Sequence, residues 1–222
     1  MINVGLLGFG TVGSGVFSLM QQNADDICKR TGDAIRIKRI LERDREKCLA
    51  SGVNPEILAA DIEEIINDPD IDIVVELIGG IEPAASFILQ AMRNGKHIVT
   101  ANKDLIASRG RELFATAEEN HVDFYFEASV AGGIPIIYPM KQSLAANRIH
   151  EVIGILNGTT NYILSKMTLE GRSYNEVLAE AQQLGYAEAD PSADVDGIDA
   201  ARKIAILSSI AFNSRVTVDQ VY

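Results

Sequence analysis

Residues 1–13 read MINVGLLGFGTVG, and this opening stretch decides the fold. An apolar run, Ile2–Leu7, leads straight into Gly8–Phe9–Gly10–Thr11–Val12–Gly13, and an amphipathic stretch, Val12–Lys29, follows. The order strand, glycine turn, helix gives each glycine a separate role. Gly8 permits a tight turn, Gly10 lets the backbone approach a pyrophosphate, and Gly13 allows close packing of helix on strand. The helix start then offers N–H groups and partial positive charge to the anion.

The same rhythm continues outward. Strands are expected at Ile35–Leu41, Ile71–Leu77, His97–Thr100 and Val122–Phe126, with helices near Ile62–Asn67, Pro83–Asn94 and Ser108–Asn120. Strands alternating with helices predict an α/β fold, a doubly wound parallel sheet of the Rossmann type. Beyond Phe126 the pattern changes. The stretch EASVAGGIPIIYPM predicts a helix beginning at Gly133–Pro135 that leads into a second, α+β domain. There a strand is expected at Arg148–Leu156, with helices at Thr159–Leu169, Tyr174–Leu184 and Ile198–Phe212. The division expected is residues 1–130 and 131–222. The chain ends at Tyr222 without a closing strand, so the second domain reads as partial; its opening directly on a strand at Met1 reads as a free-standing enzyme.

Composition narrows the function. With 222 residues, 47% of them hydrophobic, the chain can bury a sizeable core. A net charge of −11 argues against nucleic acid or an anionic membrane as partner. No apolar run approaches a membrane span, and two unpatterned cysteines with no secretory leader predict a cytoplasmic protein.

Three places carry candidate chemistry. Just past the second strand lies Glu42–Arg43–Asp44–Arg45, where a carboxylate would hold the ribose of NAD and an arginine the extra phosphate of NADP. Both types are present; Arg43 is the candidate phosphate contact, beside the alternative of a solvated charge run. Lys103 follows the fourth strand, at the end of the sheet where ligands bind, or else it caps a surface loop. The third place is GYAEADPSADVDGIDAARK, residues 185–203. A calcium loop fails in register, because Lys203 falls where a bidentate glutamate is needed. Asp199 and Lys203 share a stripe of an otherwise apolar helix with Ile206 and Ile210. Burial and an ion-pair partner push a lysine's proton affinity in opposite directions, a balance suited to alcohol/carbonyl interconversion. The other reading is a solvent-facing salt bridge.

GFGTVG, TANK, EASVAGGIPII, GILNGTTNYIL and GYAEADPSADVDGIDAARK occur in an order that resembles the homoserine dehydrogenases across nearly the whole chain. The resemblance implies reversible NAD- or NADP-linked oxidation of L-homoserine to L-aspartate 4-semialdehyde, toward threonine, methionine and isoleucine. It implies Lys203 as proton donor and acceptor, with Asp199 beside it. Glu188, Asp194 and Lys103 would serve the substrate, and Lys103 would lie between substrate and cofactor. Gly8, Phe9, Gly10, Thr11, Val12 and Gly13 would contact the nucleotide through the loop backbone. A monovalent cation, sodium or potassium, would be held by Glu127 and by the carbonyls of Val130, Gly132 and Ile134. Asn157–Gly158–Thr159–Thr160 resembles a loop facing the active site. A homodimer or higher homo-oligomer is implied as well. The alternatives are another amino-acid dehydrogenase on this fold and a nucleotide-binding or dimerising piece without turnover.

Overall fold

The computed structural model describes residues 1–222, which divide into two compact units, Met1–Ser129 and Val130–Tyr222. The first is built on five parallel strands: β1 (Ile2–Leu7), β2 (Ile35–Leu41), β3 (Ile73–Glu76), β4 (His97–Thr100) and β5 (Phe124–Tyr125). Their spatial order is β2-β1-β3-β4-β5. The order reverses beside β1, which opens a crevice at the carboxyl ends of β1 and β3. All five predicted strands form, with the third and the fifth trimmed at both ends.

β1 is apolar except for the hydrogen-bonded Asn3, because both its faces are covered. Leu6 and Leu7 are fully buried, each contributing roughly 1.5–3 kcal/mol. A Cβ on Gly5 would come within 2.5 Å of Ile65, so a helix approaches the strand closely there. Phe9 packs edge-on against Phe17 and joins Leu6, Ile40, Cys48 and Leu58 in one core cluster.

The covering helices are α1 (Thr11–Gln22), α2 (Ala24–Thr31), α3 (Arg45–Ala50), α4 (Glu63–Ile66), α5 (Ala84–Arg93) and α6 (Lys103–Glu119). Two differences from expectation have local causes. The stretch read as one helix, Val12–Lys29, breaks at Asn23, whose ψ of 18° lies outside the helical range. Helix α6 starts five residues before Ser108 because Asn102 caps it, its side-chain oxygen accepting from the Leu105 N–H at 3.1 Å.

The second unit contains α7 (Gly158–Glu170), α8 (Tyr174–Gln183), the single turn α9 (Ser192–Val195) and α10 (Ile198–Ala211). Helices α7 and α8 close on Ile163, Val177, Ala181 and Ala187. Two sequence expectations fail here. No helix starts at Gly133–Pro135: Ala131 and Gly133 both have positive φ, and the Ile134 N–H turns back to the Ala131 carbonyl at 2.8 Å. The segment Arg148–Leu156 forms no strand, since alternation alone supplies no ladder partner and the unit contains no other strand. Ile153 and Ile155 on it are 83% and 78% exposed.

Candidate functional site

In the first unit the three glycines of the turn meet three different constraints. A Cβ on Gly8, whose φ is +94°, would lie 2.7 Å from the Leu77 carbonyl oxygen. A Cβ on Gly13 would lie 2.2 Å from the Gly8 carbonyl oxygen. One on Gly10 would meet only open space, so a glycine there keeps the backbone bare toward the crevice. Ser14 is the first residue whose N–H reaches an intrahelical carbonyl, that of Gly10 at 3.0 Å. The N–H groups of Thr11, Val12 and Gly13 are therefore available to an anion at the head of the 12-residue α1. These are the features that a dinucleotide pyrophosphate requires.

Phe9 differs from its neighbours in the turn. Its side chain is buried, and its N–H donates to Glu42 Oε2 at 2.5 Å. The other oxygen of that carboxylate accepts from the Asp44 N–H at 3.1 Å. Burial raises the Glu42 pKa, but the N–H bonds from Phe9, Asp44 and Arg43 outweigh it, and the carboxyl is held below its usual value. The carboxylate after β2 thus braces the glycine turn. Arg43 and Arg45 line an open groove of about 720 Å³ with Gly8, Gly10, Leu41 and Ile78. Lys103 opens α6 directly behind its capping Asn102.

In the second unit the acidic stretch folds back on α7 and α10. Lys203 Nζ lies 2.6 Å from Asp199 Oδ2 and donates to the Leu156 carbonyl at 2.8 Å. Their side chains are only 19% and 8% exposed, so this pair does not face solvent. Asn157 is the hub. Its amide nitrogen donates to Asp194 at 2.6 Å and to Asp199 at 2.9 Å, and its oxygen accepts from the Thr160 N–H at 2.8 Å as the cap of α7. Asn157 therefore orients Asp194 and Asp199, and Asp199 with the Leu156 carbonyl orients Lys203. Glu188 has an exposed side chain, and its backbone carbonyl accepts from Gln182 at 3.0 Å.

The candidate cation ligands follow one another along the chain. Glu127 lies in the 3-10 turn Glu127–Ser129, Val130 is buried, and Gly132 and Ile134 are exposed around the turn at Ala131. Sequence reasoning missed the individual roles of Asn157 and Glu42. Asn157 carried one legible signal, an N-cap residue ahead of a helical run. Glu42 carried none that separated it from its charged neighbours.

The sheet order, the glycine turn and the free helix end make the first unit a dinucleotide-binding domain of the Rossmann class. Comparison with known proteins specifies it further. Residues 8–127 match the family model for the homoserine dehydrogenase NAD binding domain, and residues 135–222 match that for homoserine dehydrogenase. A homoserine dehydrogenase from Synechocystis is 55% identical over 222 residues, spanning 99% of this chain and 50% of that protein. The crystal structure of a homoserine dehydrogenase from Thiobacillus denitrificans superposes with a TM-score of 0.94 at 50% identity, covering 100% of this chain and 51% of that one. A hyperthermophilic archaeal homoserine dehydrogenase in complex with NADPH gives 0.84 at 27% identity, covering 100% and 75%. The chain belongs to the homoserine dehydrogenase family. It spans about half the length of the curated relatives that it matches.

Proposed function

We propose that this chain carries the dinucleotide site and the proton-handling lysine of an enzyme that interconverts L-homoserine and L-aspartate 4-semialdehyde. That places it in threonine, methionine and isoleucine biosynthesis, in the cytoplasm. The observation that carries the reading is the half-buried Asp199–Lys203 pair, its Asp199 fixed by Asn157, downstream of a nucleotide-binding unit of this family. Bound NAD or NADP supplies the hydride acceptor or donor.

The protein's own groups do the rest. Lys203 Nζ exchanges a proton with the substrate oxygen, held in place by Asp199 and the Leu156 carbonyl. Asn157 keeps Asp199 and Asp194 at a fixed separation. Glu188 binds the substrate ammonium, together with Asp194, and Lys103 serves both the substrate and the cofactor. Gly8 to Gly13 cradle the pyrophosphate, with Phe9 acting through its Glu42-braced backbone. With Glu42 so engaged, Arg43 is the group in the groove suited to a 2′-phosphate, which supports use of NADP. Glu127 with the carbonyls of Val130, Gly132 and Ile134 takes sodium or potassium, in keeping with the hard oxygen donors. Exposed Ile153 and Ile155 on an unpaired extended segment support self-association as a homodimer or larger homo-oligomer.

The test is NAD(P)H production from L-homoserine, with added sodium or potassium, by the chain and by Lys203→Ala. Loss of turnover by a factor of about 10²–10⁴ with cofactor binding retained is the expected result. Turnover of a different amino acid and none of homoserine would overturn the substrate assignment. Dinucleotide binding with no turnover at any enzyme concentration would favour a nucleotide-binding piece without catalysis, the reading that the half-length match supports.

A further inference from the structure

Glu76 ends β3, and it is completely buried. An interior parallel strand ordinarily carries apolar residues, and burying a carboxylate is costly unless donors surround it. Here they do. Oε1 accepts from the N–H groups of Ile78 at 2.9 Å and Gly79 at 3.1 Å. Oε2 accepts from the Thr100 hydroxyl at 2.6 Å. The Asn102 amide nitrogen lies 3.5 Å from Oε1 and donates to the Gly80 carbonyl at 2.7 Å. The Thr100 hydroxyl oxygen in turn accepts from the Asn102 N–H at 3.0 Å.

One carboxylate thus ties the loop after β3, with Gly79 and Gly80 both at positive φ, to the loop after β4 and the start of α6. The first of these loops walls the glycine turn, since a Cβ on Gly8 would strike the Leu77 carbonyl and the Ile78 nitrogen. The sheet order places Arg43 on the β2 side of the turn and Glu76 on the β3 and β4 side, and the groove beside Arg43 reaches across to Leu77 and Ile78 at the near end of the loop after β3. A dinucleotide with its pyrophosphate on Gly8–Gly13 and its adenosine over the β2 side has its other half over β3 and β4.

We propose that Glu76 is a positioning residue for the nicotinamide half of the bound dinucleotide, acting through the Ile78–Gly80 loop and through Asn102. This rests on the nucleotide-site reading given above. The chemistry favours a carboxylate over an amide. Every group facing it is a donor, and the Thr100 oxygen already accepts from Asn102. A glutamine would turn its NH2 toward Thr100 and leave that hydroxyl proton without its acceptor. The tie of the loop to β4 would then be weakened, since the glutamine NH2 meets only the second lone pair of the Thr100 oxygen, without loss of the core around β1.

The test uses the full chain with Glu76→Gln, Glu76→Ala and Thr100→Val. The dissociation constants of NADPH and NADH are measured alongside that of ADP, which lacks the nicotinamide half. The expected result is roughly tenfold weaker binding of the dinucleotide, the scale of a lost hydrogen bond to a charged group, with ADP affinity held within about twofold. Glu76→Ala has the larger effect of the two Glu76 variants. Thr100→Val, which keeps the side-chain shape, produces the same selective loss even where Glu76 variants fail to fold. Equal losses for dinucleotide and ADP would mark Glu76 as a purely structural residue, and no loss for either would also overturn the proposal. A wild-type chain that binds neither dinucleotide overturns the nucleotide-site reading, and this inference with it.

Discussion

The two units handle their polar groups in opposite ways. In the first, the chemistry lies in backbone: bare glycines, helix N–H groups and a brace from Glu42 onto Phe9. In the second it lies in side chains that meet from far apart in sequence, with Asn157 bonded to residues 37 and 42 positions away. Their apolar surfaces differ as well. The first unit covers β1 on both faces, whereas the second leaves Ile153, Ile155 and Leu169 more than three-quarters exposed. A backbone site needs a particular local conformation and tolerates many side chains. A side-chain site needs particular residues and depends on every long-range contact that places them.

That contrast predicts which substitutions strike which unit. Lys203→Ala, already described, has the largest effect and leaves the nucleotide site intact. Gly13→Ala comes next in the other direction. Its methyl must displace the Gly8 carbonyl, so dinucleotide binding is lost with the Asp199–Lys203 cluster undisturbed. A titration with NADPH checks this, and an unchanged dissociation constant would break the backbone-site reading.

Asn157→Ala removes the α7 cap and both carboxylate tethers at once. It destabilises the second unit by about 1–3 kcal/mol and lowers turnover without weakening NADPH binding. Denaturant melts combined with steady-state kinetics separate the two effects. Arg43→Ala is expected to weaken NADP roughly tenfold while sparing NAD, the difference expected of one charge-assisted phosphate contact. Equal affinities for NADP before and after the substitution would leave the phosphate to Arg45.

The smallest effect is on acid stability, where each unit has depressed carboxyls, among them Glu42 in the first and Glu180 in the second. Glu180 accepts from Lys166, Tyr162 and Arg172, and these bonds hold it down to about 2 from an ordinary 4.5. Glu42 is lowered from the same starting value. A depressed carboxyl stabilises above its unfolded value and loses that contribution as pH falls toward its folded one. Stability should therefore decline below pH 4.5, and for the Glu180 cluster continue to decline to about pH 2. Glu180→Gln should flatten that profile between about pH 4.5 and 2, and Glu42→Gln should flatten it as pH falls below 4.5, as read by thermal melts.

The sequence by itself determined the parallel α/β unit, the glycine turn and the Asp199–Lys203 pairing. Each is a local pattern: an apolar run before glycines, or two charges four residues apart on one helix face. Asp44 capping the short α3 was missed because a charge run conceals so brief a helix. Arg148–Leu156 misled because strand alternation can be read locally whereas a pairing partner cannot. Only the tertiary structure decided that Glu42 turns inward to Phe9, that Glu76 joins two loops and that Asn157 gathers Asp194 and Asp199. Those bonds close between residues brought together by the packed sheet and helices. Their geometry exists only once the apolar core has placed the strands and helices that carry them.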